Sequence, residues 1–220
     1  MNSESYDLMC DIDERYRAAS GLKSRAFYSI FYGPLRPCPL LVINANPGGT
    51  PTNFRIVDVL SGEHEYIEGR LSGPTTKNGA EILQTIVGSS DIRSIQVLNR
   101  FFRRSPTQPM PGLQKQYALE ARPFLAELIE FIQPEALLFG GNAGVLKFTE
   151  AHSGQVKAAE PIFGPNGSFD AVYFQEYGLK LPYYREIPAH GIYHPSNLKS
   201  VFRERVYPLL KDKLGPLFAG

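Results

Sequence analysis

Cysteine is almost absent: Cys10 and Cys38 are the only two in 220 residues. Two thiols can build neither a disulfide framework nor a four-thiolate metal site, and nothing else points to an oxidising compartment. An excess of either charge is missing as well. Basic and acidic side chains nearly cancel, leaving a formal net charge of +1. That excludes a broadly basic nucleic-acid coat and confines any phosphate footprint to a local patch. No apolar run approaches membrane-spanning length. The start, Met1-Asn2-Ser3-Glu4-Ser5, is polar with no apolar segment behind it, so no secretory signal is visible. These absences read as a cytoplasmic protein. Internal repeats, low-complexity linkers and the glycine-rich phosphate signatures G-x-x-x-x-G-K-[ST] and G-x-G-x-x-G are absent too.

What is present is ordinary for one globular domain spanning residues 1–220, with 43% hydrophobic and 20% charged residues. The organising stretch is Leu40-Leu41-Val42-Ile43 followed by Asn44-Ala45-Asn46-Pro47-Gly48-Gly49. A short, apolar, β-branched run is a buried strand, and Pro47 and the glycines end it in a turn. The strand therefore delivers Asn44 and Asn46 to whatever lies beyond its carboxyl end, where open α/β sheets bind ligands. Taken alone, the stretch is equally an ordinary Asn-Pro-Gly turn.

Three further short apolar runs repeat the pattern. Ile95–Leu98 ends in Asn99, Ala136–Phe139 ends in Gly140-Gly141-Asn142, and Ile187–Tyr193 ends in His194-Pro195-Ser196. Around and between them lie amphipathic helical patterns at about 5–19, 80–87, 113–132, 143–148 and 197–213, with Pro123 expected to kink the third or restart it. Residues 152–185 read as loops plus a hairpin turning at Tyr177-Gly178. Residues 50–78 are long and aperiodic, a segment expected to carry function or to move. Strands alternating with helices predict an α/β/α sandwich around a four-stranded, mainly parallel sheet. In such a sheet the polar strand ends share one edge.

In these motifs the chain resembles the uracil-DNA glycosylase superfamily, from Leu40 to about Leu210. Asn44-Ala45-Asn46-Pro47-Gly48 is similar to the Gly-x-Asn-Pro-Gly of the mismatch-specific and single-strand-selective branches. Val97-Leu98-Asn99 through Pro106, and Glu120–Leu125 with Gln133–Gly140, are similar to segments of the iron–sulfur branch. His194-Pro195-Ser196-Asn197-Leu198 resembles its His-Pro-Ser-x-Leu motif. The resemblance implies base excision by hydrolysis of an N-glycosidic bond in DNA, with base flipping and no cofactor. Asn46 would position the attacking water, and His194 would stabilise charge developing on the leaving base. Asn99 would hydrogen-bond that base, with Asn44 and Gly48 beside it. Ser196 would contact a phosphate, Leu198 would wedge into the vacated stack, and Arg100, Arg103 and Arg104 would grip the backbone. The partner implied is DNA containing a damaged base, met by a monomer with no metal, no iron–sulfur cluster and no membrane.

Three departures from the family pattern stand in the sequence. Asn44 replaces the usual glycine. The cluster cysteines are missing, with Ala121-Arg122 at the matching helix position. The aromatic residue that stacks on the base is unassigned between Phe54 and Tyr66. Each site residue also has a plainer role: Asn46 and Asn99 as turn and strand-end caps, Ser196 or Asn197 as a helix cap, Leu198 as core, the arginines as a solvated face. His190 and His194 are too few and too poorly placed for a metal pair. Two rival functions follow: a binding module of the same fold with little catalysis, and an α/β enzyme acting on free nucleosides or nucleotides.

Overall fold

The computed structural model describes residues 3–45, 47, 74–88, 91–105, 109–141, 143–152, 154–162, 174–180, 186–195 and 200–219. Along the chain these form α1 (Ser3–Ser20), β1 (Leu40–Asn44), α2 (Pro74–Val87), β2 (Gln96–Asn99), α3 (Pro111–Ile132) and β3 (Ala136–Gly140). Then follow α4 (Ala143–His152), β4 (Gln155–Ile162), β5 (Phe174–Lys180), β6 (Ile187–Ile192) and α5 (Ser200–Leu214). Among the described residues no helix is long and apolar enough to cross a membrane.

One sheet carries the strands in the order β2-β1-β3-β6-β5-β4. The first four are the strands expected from sequence, and they run parallel. Among the described residues the sheet nevertheless has six strands, not four. β5 adds antiparallel to β6, and β4 antiparallel to β5. The hairpin expected to turn at Tyr177-Gly178 is instead the middle of β5, where Tyr177 pairs with both Ala158 and Ala189. A glycine inside a strand costs packing but no hydrogen bond, so Gly178 is tolerated between two neighbours. β4 escaped notice because Gln-Val-Lys-Ala-Ala-Glu-Pro-Ile lacks an apolar run. Its register shifts between Ala158 and Pro161, and an edge strand tolerates a proline because one of its sides carries no ladder.

Helices cover both faces. Leu41, Ile43, Leu98, Leu137 and Phe139 pack with Met9, Ile12 and Tyr16 of α1, Leu125, Leu128 and Ile132 of α3, and Val145 and Phe148 of α4. The alternate residues Leu40, Val42, Val97 and Leu138 pack with Ile82 and Ile86 of α2 and with Phe202, Val206 and Leu210 of α5. β1 is apolar from Leu40 to Ile43 because both of its faces are covered.

α3 runs unbroken through Pro123. The proline forfeits one helical bond, but the buried Ala121, Phe124, Leu125 and Leu128 around it hold the helix to the core. The helix begins with Pro111, whose missing N–H costs nothing in the first turn. It ends where Gln133 adopts a left-handed conformation (φ 51°) and donates its N–H to Ile129 O at 2.9 Å. α2 starts at Pro74, so the aperiodic stretch expected over 50–78 gives way to helix four residues before its expected end.

Candidate active site at the carboxyl edge of the sheet

β1, β2 and β3 end at the same level because their registers are aligned: Asn44 stands opposite Asn99, and Ile43 opposite Phe139. Backbone pairing continues past the strand ends. Arg100 N–H donates to Asn44 O at 2.7 Å, Phe101 N–H to Ala45 O at 3.3 Å, and Ser105 N–H to Pro47 O at 3.3 Å. Gly141 N–H donates to Ile192 O at 2.8 Å, which ties the end of β3 to the end of β6.

The Asn44 side chain leans over Gly140. A Cβ added at Gly140 would lie 2.4 Å from Asn44 Oδ1 and 3.8 Å from Pro195 Cδ. The missing side chain at 140 is therefore what admits the asparagine at 44, and Pro195, in the turn after β6, lies beside the same position. Asn78, in the first part of α2, donates from Nδ2 to Pro195 O at 2.6 Å and holds that turn from the other side. Asn44, Gly140 and His194-Pro195, far apart in sequence, thus share one edge.

We expect Gly140→Ala to destabilise the chain by about 1–3 kcal/mol, because the new methyl collides with Asn44 Oδ1 and must evict that side chain. In an Asn44→Ala background the same change should cost clearly less, a coupling that a double-mutant cycle by chemical denaturation would read. Additive costs would show that the contact does not shape this edge.

Asn99 is fully buried. Its amide meets one hydroxyl: Asn99 Nδ2 donates to Tyr32 Oη at 3.0 Å, and that hydroxyl donates to Asn99 Oδ1 at 3.1 Å. The pair sets the orientation of the carboxamide. An amide has two donors and two acceptor lone pairs, so each polar atom retains capacity for a second partner. Tyr32 carries no sequence signal for this role; it sits in an aromatic run 67 positions before Asn99.

His194 keeps solvent contact, yet the protein around its ring desolvates it enough to hold its pKa below the ordinary histidine value. The imidazole is accordingly neutral at pH 7 and can donate one N–H while accepting at its other nitrogen.

The three arginines after Asn99 serve different contacts. Arg103 makes a bidentate pair with Glu120, with Nη2 to Oε2 at 2.7 Å and Nε to Oε1 at 3.0 Å, and also donates to Ser20 O. Arg104 is half-buried, and its backbone N–H donates to Phe27 O at 2.8 Å. Arg100 is buried against Phe101 and donates to Gln114. Asn46, Gly48, Phe54, Tyr66, Ser196 and Leu198 lie outside the described residues. Of the two cysteines, Cys38 is buried and its thiol is pushed up to about 12 by desolvation, which leaves it inert. A surface depression between α1 and α3 is lined by Glu4, Leu8, Glu127, Glu130 and Phe131. Its carboxylates would repel phosphate, and it lies away from the sheet edge.

Fold and site together define an α/β protein with a polar, asparagine-rich edge beyond the carboxyl ends of its parallel strands. Neither any model of a known protein family nor any curated protein matches the chain.

Proposed function

We propose that this chain is a monofunctional DNA glycosylase with a uracil-DNA glycosylase-like fold, acting on uracil or a related deaminated base. The observation that carries the reading is the meeting of Asn44, Asn99, Gly140 and the His194-Pro195 turn at one edge of the sheet. Four sequence motifs that resemble one enzyme superfamily are thereby consistent with a single site.

The chemistry suits those groups. Water attacks the anomeric carbon as the bond to the base nitrogen breaks, the electron pair leaves with the base, and the water's proton passes to solvent or to the departed base. The sugar passes through an oxocarbenium-like state while the base becomes anionic. Donors aimed at the developing oxyanion then matter more than a strong base. A neutral His194 supplies such an N–H. Asn46 would orient the water, and the oriented amide of Asn99 presents a donor beside an acceptor, the pair needed to read a base edge. Flipping costs a few kcal/mol of unstacking, which Leu198 and phosphate contacts would offset.

A second reading is favoured by one specific observation. Asn99 is wholly buried behind Tyr32, and Asn44 occupies the space above Gly140. A nucleic-acid-binding member of the same fold with little catalysis would tolerate such a closed edge.

The test is base release from an oligonucleotide carrying a single uracil, single-stranded and in duplex, beside Asn46→Ala and His194→Ala. Removing one oxyanion donor typically costs about 10²–10³ in rate, so release should fall by that order in His194→Ala and comparably in Asn46→Ala. DNA binding without release from uracil, hypoxanthine or xanthine substrates would overturn catalysis in favour of the binding module. Absence of both release and binding would favour an enzyme acting on free nucleosides or nucleotides.

A further inference from the structure

The end of β2 also faces the opposite side of the sheet, and there the charges do not balance. Arg100 is 4% exposed, so its guanidinium is held out of water. Its Nη2 donates to Gln114 Oε1 at 3.2 Å, while its buried Nε has no hydrogen-bond partner among the described residues. Lys147, on α4, donates from Nζ to that same Gln114 Oε1 at 3.3 Å. Gln114 cannot turn away, because its Nε2 donates to Pro109 O at 2.5 Å and so aims the carbonyl oxygen at both cations. Two positive groups therefore converge on one neutral oxygen. Among the described residues no carboxylate hydrogen-bonds to either. Glu150 acts on both through its charge without a hydrogen bond to either, and pairs with Lys115 at 3.5 Å.

Burying a cation without a counter-charge is costly, and the half-buried Lys147 beside Arg100 adds to the cost. Burial indeed draws the Arg100 pKa down to about 10, and burial together with the Arg100 charge lowers that of Lys147. Cations left unneutralised in this way, with donors to spare and an acceptor already engaged, are arranged for an anion that is not part of the chain. A guanidinium offers a planar fork and an ammonium a point charge, a combination suited to a tetrahedral oxyanion with several acceptor oxygens.

We propose that Arg100, Lys147 and Gln114 form a phosphate-binding site between the end of β2, the first turn of α3 and the middle of α4. The phosphate can be a free one or one carried on a nucleotide or a nucleic-acid strand. The site does not depend on base excision, since it stands on the charge balance of these three side chains and lies on the other face of β2 from Asn99.

The test uses the full chain in a low-salt buffer without phosphate. Inorganic phosphate is titrated first, followed by thermal melting and by calorimetry, against the native chain, Arg100→Met and Lys147→Gln. Phosphate should raise the melting temperature of the native chain saturably. Binding should be at least tenfold weaker in Lys147→Gln and lost in Arg100→Met. Lys147 is half-buried, so its variant should fold even if Arg100→Met does not. A mononucleotide 5′-phosphate and a single-stranded oligonucleotide form the remaining arms. If phosphate competes with the oligonucleotide and Lys147→Gln lowers the salt slope of oligonucleotide binding by about one, the bound group is a backbone phosphate. If phosphate binds with oligonucleotide binding unaffected, it is a free phosphate or a nucleotide. No saturable effect of phosphate, mononucleotide or oligonucleotide that distinguishes the native chain from Lys147→Gln would overturn the site. None of these readouts requires base release, so they can fail or succeed independently of glycosylase activity.

Discussion

Glu120→Ala is expected to lower the melting temperature by roughly 6–12 °C, corresponding to about 3 kcal/mol in a domain of this size. Glu120 accepts from two side chains that the fold draws together. Arg103 binds it bidentately, and Tyr16, fully buried on α1, donates its hydroxyl to Oε1 at 2.6 Å. The Arg103 side chain is 22% exposed and that of Glu120 16%, so water can replace the lost carboxylate only in part. Removing it leaves a partly buried guanidinium and a buried phenol unsatisfied, which is the costly way to break an ion pair.

The same knot anchors an aromatic cluster. Tyr16 meets Tyr28, Phe102 and Phe124 edge-on with ring centres 5.1–5.5 Å apart. Arg103 lies over the Tyr117 ring at 5.0 Å, and its backbone bridges to Tyr28. Glu120→Gln should cost less than the alanine variant, because an amide oxygen still accepts from Tyr16. Equal losses would show that charge, not the hydroxyl contact, dominates; a shift of under about 2 °C in both would show that the network contributes little.

Acid should weaken the fold by about 3 kcal/mol between pH 6.5 and pH 4 through His152 alone. His152 is fully buried at the end of α4, stacked on Phe148 with ring centres 4.2 Å apart. Burial, assisted by the Arg122 charge, lowers its pKa to about 4 from an ordinary value of 6.5. The sign follows from which state takes the proton. Above pH 6.5 the ring is neutral in both states and has no effect. Below that value the unfolded chain binds a proton that the folded chain excludes, so stability falls until the folded ring titrates near pH 4. His190, buried on β6 and stacked on Phe174, is lowered by the same cause and adds in the same direction. Denaturation profiles from pH 7 to 4.5 should show the decline, and His152→Phe, which keeps the ring and removes the titration, should flatten it whatever its stability at neutral pH. An unchanged slope in that variant would rule out His152 as the source.

The arginines illustrate how chemistry close in sequence is divided by a strand. Arg100, Arg103 and Arg104 follow Asn99 within five residues and read as one basic patch. Alternation at the strand end sends Asn99 toward Tyr32 and Arg100 toward Gln114, on opposite faces of the sheet. Arg103 then meets Glu120 of α3. Partners 14 and 17 positions away in sequence, brought up by the docking of a separate helix, determined what each cation does.

The sequence by itself determined the four parallel strands, the helices between them and the gathering of their polar ends on one edge. Those follow from local signals: short apolar runs, helical spacing of apolar residues, and Asn, Pro, Gly or His where each run stops. The two antiparallel strands were beyond that reading, since β4 is polar and β5 carries a glycine, and both exist because β6 offers an unpaired edge. Only the tertiary structure decided that Asn44 fits because position 140 lacks a side chain, that Tyr32 orients Asn99, and that Lys147 joins Arg100 on Gln114. Each of these depends on the distance between groups from different elements, which is set by how helices pack on the sheet and leaves no periodic trace along the chain.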